Sequence, residues 1–174
     1  MFPEKFQTRR LYLRLIGIAD ALPIFEGYAQ DPEVSRYLTW RPHASIKETR
    51  AYVAASMTAA THRTYVLVSR AEHSVIGAFD LRQAGPTRLE YGYVLARGLW
   101  GQGLMTEVLA EVVEWALRQP AIWRIGSVCD VENLASARVM EKAGLHREGV
   151  LRRWGMHPNL AEAPRDCFSY AKVR

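Results

Sequence analysis

Gly101 and Gly103 sit in the segment Trp100-Gly101-Gln102-Gly103-Leu104-Met105, directly after an apolar stretch and directly before an amphipathic one. Strand, glycine-bearing turn and helix in that order set a helix N-terminus at the end of a strand. The backbone N–H groups of Gln102, Gly103, Leu104 and Met105 begin the helix and cannot all be satisfied inside it. Aligned peptide dipoles add a positive field, so the turn suits a phosphate or pyrophosphate. Glycine lets the chain turn tightly there and approach a ligand closely. The spacing is neither a P-loop, since no Lys-Ser or Lys-Thr follows the glycines, nor a dinucleotide fingerprint, since Thr106 stands in the third glycine's place. A plain packing turn is the competing reading. Other chemistries have less support. His43, His62, His73, His146 and His157 are scattered without the i, i+4 spacing of a zinc helix, there is no G-x-S-x-G elbow, and Cys129 has no evident histidine partner.

The elements that must hold this turn can be read along the chain. Thr8–Leu15 alternates apolar and polar and predicts a strand. Asp20 reads as the N-cap of a short helix to about Gln30, broken by Asp31-Pro32, with another helical turn from Glu33 to Leu38. Arg41-Pro42 is an extended link. Ser45 with Glu48 resembles a capping box for a helix to about Ala60. Thr64–Arg70 and Val75–Leu81 predict a hairpin around Glu72-His73, and Arg88–Ala96 follows the turn at Gly85-Pro86. Leu104–Leu117 is the main helix, with Leu104, Val108, Val112 and Trp115, flanked by Leu109, Val113 and Ala116, as its buried stripe and Glu107, Glu111 and Glu114 facing mostly away. Ile122–Cys129 predicts a strand, Asn133 the cap of a helix over Leu134–Ala143, and Gly144 its left-handed stop. Leu145–Arg153 and Arg165–Val173 close the chain as strands. The result is α/β (α+β), with one mixed sheet flanked by helices in a single domain over residues 1–174.

Composition narrows the class. A chain of 174 residues, 49% hydrophobic, can bury a real core. No apolar run approaches the roughly 20 residues of a membrane helix, and the N-terminus lacks a signal peptide's apolar segment. Cys129 and Cys167 stand apart and outside any CxxC, which suits a reducing cytoplasm and offers no zinc site. The net charge of +5 favours an anionic ligand, but the basic residues occur in ones and twos, so neither nucleic acid nor membrane is an expected partner.

Four segments, in order, resemble the GCN5-related N-acetyltransferase (GNAT) superfamily, and within it the ribosomal-protein N-terminal acetyltransferase branch of the RimJ/RimL type. Tyr37-Leu38-Thr39-Trp40-Arg41-Pro42 is similar to the acceptor-side segment. Glu90-Tyr91-Gly92-Tyr93 with Trp100–Glu107 resembles the acetyl-CoA motif. Val131–Leu145 resembles the second motif, and Arg147–Arg152 with Arg165-Asp166 continues the pattern. The superfamily's turn reads Gln/Arg-x-x-Gly-x-Gly/Ala, whereas Trp100 and Met105 hold its first and last places here.

The resemblance implies a mostly antiparallel sheet of the GNAT fold, acetyl-CoA as donor, no metal, and direct transfer to a primary amine. That amine is a protein N-terminal α-amine or a small-molecule amine such as a polyamine or antibiotic. A non-catalytic acyl-CoA-binding module is the alternative, and a homodimer is compatible with the family. The resemblance further implies an opening beside the strand at Val94 and Leu95, where backbone groups meet the pantetheine arm. It implies Asn133 near the pantetheine, with capping as its other role. Arg97 beside the turn and Arg138, four residues before Lys142, are candidates for phosphate, or else solvated. Glu90 matches the family's acid before Gly-Tyr; it would share a face with Gly92 and Val94, and partial burial would raise its pKa toward that of a useful base. Its competing role is an ion pair with Arg88 or Arg82. Ser136, ahead of Tyr93 or Tyr91, is the first candidate for protonating the thiolate. Tyr37, Trp40 and Arg41 are candidates for the acceptor wall, and would equally serve core and surface.

Overall fold

Eight strands form one sheet in the order β1-β2-β3-β4-β5-β6-β8-β7 in a computed structural model that describes residues 2–174. The strands are β1 (Lys5–Gln7), β2 (Leu11–Leu15), β3 (His62–Ser69), β4 (Val75–Gly85), β5 (Arg88–Leu95), β6 (Arg124–Asp130), β7 (His146–Gly155) and β8 (Arg165–Val173). The helices are α1 (Ala21–Ile24), α2 (Pro32–Ser35), α3 (Ile46–Thr58), α4 (Leu104–Arg118) and α5 (Leu134–Lys142). All neighbouring strands run antiparallel except β5 and β6. That pair is parallel because α4 carries the chain back across the sheet between them.

Strand alternation divides the interior into two layers. Tyr65, Leu67, Phe79, Leu81, Leu89 and Tyr91 face α4 and α5, where Leu104, Val108, Leu109, Val112, Val113 and Ala116 are buried. Val66 and Val68 face the other way, against Ile24, Tyr28 and Val53 of the α1–α3 layer. Trp115 is only partly buried and packs on Phe6, their ring centroids 5.4 Å apart.

Local hydrogen bonding explains where the elements depart from their predicted bounds. The strand expected from Thr8 begins at Leu11, because Thr8 N–H donates to the Leu11 carbonyl (2.9 Å) and Thr8 Oγ1 accepts from Leu11 N–H (3.1 Å). This turn lets β1 fold back onto β2. Asp20 does not cap a helix: it is buried, held by Arg14 at 2.8 and 2.6 Å, and accepts from Gly17 N–H. The chain then runs through one α turn and a π turn at Phe25–Ala29 instead of a continuous helix. Asp31 is the cap, accepting from Glu33 N–H at 2.9 Å. At α3 the box is half formed, with Glu48 accepting from Ala44 N–H while the Ser45 side chain caps nothing. Glu107 does not face away from the fold but accepts from Arg10 N–H and Nε, each at 2.8 Å.

Candidate active site

β5 and β6 pair only at Arg88, Leu89 and Glu90 with Arg124, Ile125 and Gly126, and then diverge. Ser127 Oγ donates to the Tyr91 carbonyl at 2.7 Å at the point of the fork. Beyond it β5 stays paired with β4, and β6 with β8. In an antiparallel ladder alternate residues turn their main-chain groups toward the partner strand. Ala96 N–H donates to the Ile76 carbonyl, and the Val94 carbonyl faces β4, lying 2.3 Å from where a Cβ on Gly77 would stand. Tyr91, Tyr93 and Leu95 therefore turn theirs into the fork. Val94 was expected to offer its backbone there; its parity commits that backbone to β4, and Tyr93 takes the place. The Leu95 carbonyl is already held by Trp100 Nε1 at 2.8 Å, which gives the departing tryptophan of the turn a role.

At the wide end of the fork stands the N-terminus of α4. Gly101 (φ 76°) and Gly103 (φ 73°) both lie in the left-handed region, and among the described residues no side chain caps the helix. A Cβ at Gly101 would meet nothing within 4 Å, so backbone conformation rather than space requires the glycine. Gly103 is the N-cap and its carbonyl accepts from Glu107 N–H. The N–H groups of Leu104, Met105 and Thr106 in the first turn thus stay available to an anion. Gln102 is exposed, its side chain donating to the Gly98 carbonyl.

Sequence reasoning missed Arg10. Its Nη1 donates to the Gln102 carbonyl at 2.9 Å and its Nη2 lies 3.7 Å from a Cβ built on Gly103, so it braces the turn from beneath. Burial pushes the Glu107 carboxyl up, but hydrogen bonds from Thr8 and Arg10 outweigh it and hold the group at about 2. The signal was faint: the Arg9-Arg10 pair breaks the apolar alternation just before β2.

Asn133 opens α5 on the other lip. Its Oδ1 accepts from Ser136 N–H at 3.1 Å, and its amide nitrogen makes no hydrogen bond among the described residues. The turn before it is fixed by Asp130, fully buried, which accepts from Glu132 N–H and from Arg165 at 2.6 and 3.2 Å. The Tyr93 hydroxyl reaches across the fork to Ser136 Oγ at 2.7 Å. Burial raises Tyr93 well above the ordinary phenol value, though the bond to Ser136 works against it. Tyr91 is fully buried in the stack Phe79–Tyr91–Tyr93, so it faces core rather than cleft.

The structure brings Tyr93, Ser136 and Asn133 together and places other candidates differently. Glu90 is on the predicted face but its side chain is 51% exposed and lies 3.6 Å from Arg82. The expected burial is missing because the α1–α3 layer, which reaches Val94 and Ala96, does not cover Glu90 on the same face of β5. Arg97 pairs with Asp31 at 3.0 Å, tying α2 to the turn. Arg138 is exposed on α5. Tyr37 reaches the Glu132 carbonyl at 3.4 Å, beside Asn133. Trp40 packs on His43 at a tilt of 45° (ring centroids 5.2 Å apart), and Arg41 lines an open cavity of about 460 Å³ with Arg36, Pro158, Asn159 and Leu160. Asn159 Nδ2 donates to the Ser35 and Trp40 carbonyls, both at 2.7 Å, which locks the β7–β8 loop to this wall.

An acetyltransferase (GNAT) domain model matches residues 10–146. The chain belongs to the GNAT acetyltransferase family. It is 31% identical to the uncharacterized N-acetyltransferase YoaA of Bacillus subtilis strain 168, over all of this chain and 99% of that one. A GNAT-family acetyltransferase structure from Bacillus anthracis superposes with a TM-score of 0.85 at 25% identity, covering 97% of this chain and 98% of that one. RimL, a ribosomal L7/L12 alpha-N-protein acetyltransferase in complex with coenzyme A, shares the fold, with a TM-score of 0.82 at 21% identity over 95% of each chain. The mixed eight-stranded sheet with flanking helices is thus that of the GNAT fold.

Proposed function

We propose that the chain transfers the acetyl group of acetyl-CoA to a primary amine, with a protein N-terminal α-amine as the first acceptor class to test. One observation carries the reading: the β5–β6 fork opens beside an uncapped helix N-terminus. An extended amide-bearing arm needs unpaired strand groups, and a pyrophosphate needs free N–H donors. Both kinds of group lie here side by side.

On this reading Leu104, Met105 and Thr106 N–H groups hold the pyrophosphate, with Gln102 and Gly103 shaping the turn and Arg10 bracing it. Tyr93 main-chain groups and the Leu95 N–H bind the pantetheine amides. The Asn133 amide nitrogen donates to the same arm, and Arg138 meets the outer phosphate. Acetyl-CoA supplies an activated thioester; the acceptor nitrogen attacks its carbonyl carbon and the C–S bond breaks. The Tyr93–Ser136 hydroxyl pair donates a hydrogen bond to the departing sulfur, where negative charge develops. Tyr93 suits this because burial keeps its proton on. A primary amine must lose a proton to attack. Glu90, exposed and on the acceptor face, takes that proton through water. Tyr37, Trp40 and Arg41 form the wall that receives the acceptor.

The test is CoA thiol release with a panel of amines, alongside calorimetric titration of acetyl-CoA. Amine-dependent release supports the reading, and the preferred amine settles the acceptor class. Tight acetyl-CoA binding with no release for any amine would leave a non-catalytic acyl-CoA-binding module.

A further inference from the structure

Asp80 lies on β4 opposite Gly92 of β5, on the sheet face covered by α1 and α3. It is partly buried, and its Oδ1 accepts from Thr64 Oγ1 at 2.6 Å. Other sheltered carboxylates face arginine: Asp20 faces Arg14, Glu107 faces Arg10 and Asp130 faces Arg165. Asp80 has no cationic partner within 4.0 Å among the described residues. A sheltered carboxylate with no counter-charge is costly, and the cost is recovered when a cation arrives.

The surroundings suit an arriving cation. A Cβ on Gly92 would meet nothing within 4 Å, so the position across the ladder from Asp80 is open space. The Tyr28 hydroxyl is deeply buried and has no hydrogen-bond partner among the described residues; it lies close enough to Asp80 and Tyr52 for their charges to act on it. From the surface an aromatic row leads inward, with Trp40 on His43 at 5.2 Å and His43 beside Tyr52 at 6.1 Å. Burial lowers the His43 pKa, so the ring is neutral at pH 7 and does not repel a cation, while aromatic faces attract one.

We propose that Asp80 is the acceptor-binding carboxylate: it receives the primary ammonium group of the acceptor through the space left open by Gly92, at the inner end of the Trp40–His43–Tyr52 row. This rests on the acetyltransfer reading and adds to it the acceptor's recognised group, a cationic primary amine. Asp80 binds and positions; the proton still leaves toward Glu90.

The probe is whichever of tyramine, spermidine and a serine-initiated peptide the wild-type protein acetylates fastest. Asp80→Asn keeps the shape and the Thr64 contact. Its KM for the amine should rise about thirtyfold, the scale of one hydrogen bond to a charged group. The acetyl-CoA dissociation constant by calorimetry should stay within about twofold, since no donor-binding group is touched. A folded Asp80→Asn protein with an unchanged amine KM overturns the proposal. Gly92→Val is the second variant and leaves the Asp80–Thr64 bond intact. It should raise the amine KM by filling the open space, and an unchanged KM there also counts against the proposal. A wild-type protein that binds acetyl-CoA but acetylates no amine of the wider panel, these three included, overturns the reaction reading itself, and this proposal with it.

Discussion

On the α4 side of the β5–β6 fork, the groups that face the cleft come largely from one unbroken stretch of chain, Tyr93 through Thr106, and most of them are backbone N–H and C=O. On the α2 side they come from far apart: Asn159 meets Ser35 across 124 residues of sequence, and Tyr37 meets Glu132 across 95. On the proposed reading, the donor side is thus built from conformation and the acceptor side from side-chain contacts between distant segments. A backbone cradle can outlast wide sequence change, because it needs only Gly101 and Gly103 in the left-handed region and a helix that follows. An acceptor wall held by side chains can be rebuilt for another amine without disturbing that cradle.

Asp130 joins the two sides, since Arg165, which it holds, also pairs with Glu132 beside Asn133. Asp130→Asn should therefore harm both. Breaking a buried ion pair from one side typically costs about 3–5 kcal/mol, to be read by chemical denaturation. A loss under about 1 kcal/mol would mean that the neighbouring backbone bonds alone set the turn. Next in size is Tyr93→Phe, which keeps the donor backbone and removes one hydroxyl. It should lower kcat by about 10²-fold, the scale of losing a donor aimed at developing charge. Acetyl-CoA affinity should hold. An unchanged kcat would take the Tyr93–Ser136 pair out of the chemistry and leave the donor side purely a backbone device.

The same contrast governs what could be read from the sequence. The strand-turn-helix, the α4 stripe and the Asn133 cap were legible because each depends on residues within a few positions of one another. Glu90's face was legible from the period of two, but its exposure was not, because burial depends on what α1–α3 fail to cover. Arg97 could not be placed without knowing that Asp31 lies across from it. Arg10 and Asp80 went unnoticed for the same reason: their partners, Glu107 and Thr64, sit 97 and 16 residues away. Val94 was one residue off, since the parity of the β4–β5 ladder, and not sequence pattern, decides which backbone faces the fork.

Glu107 tests how far the turn before α4 depends on its ion pair with Arg10. Its folded pKa, held down to about 2, lies below the ordinary carboxyl value of 4.5. A depressed carboxylate contributes stability that is full above its unfolded pKa and lost as pH falls toward the folded one. Arg10 is partly exposed, so the contribution is about 1–2 kcal/mol after solvent screening. The stability gap between wild type and Glu107→Gln should accordingly be flat above pH of about 5 and close as pH falls toward about 2. Urea denaturation over that range measures it. A gap that does not change with pH would assign Arg10 to packing alone.

Asn159→Ala gives the smallest effect and separates the two sides most cleanly. The Asn159 amide nitrogen holds the Ser35 and Trp40 carbonyls at 2.7 Å each and touches nothing on the donor side. Its loss leaves the buried Ser35 carbonyl still accepting from Leu38 N–H at 2.9 Å and frees the carbonyl of half-buried Trp40, so stability should fall by only about 1 kcal/mol. The wall, however, loses its tie to the β7–β8 loop. Trp40 and Arg41 then sample more positions, and ordering them on binding costs about 0.5–1.5 kcal/mol per side chain. The amine KM should rise by roughly threefold to tenfold while the acetyl-CoA KM stays unchanged. A matching rise in both constants would show that the loop braces the whole cleft, and the division between a backbone-built donor side and a side-chain-built acceptor side would fail.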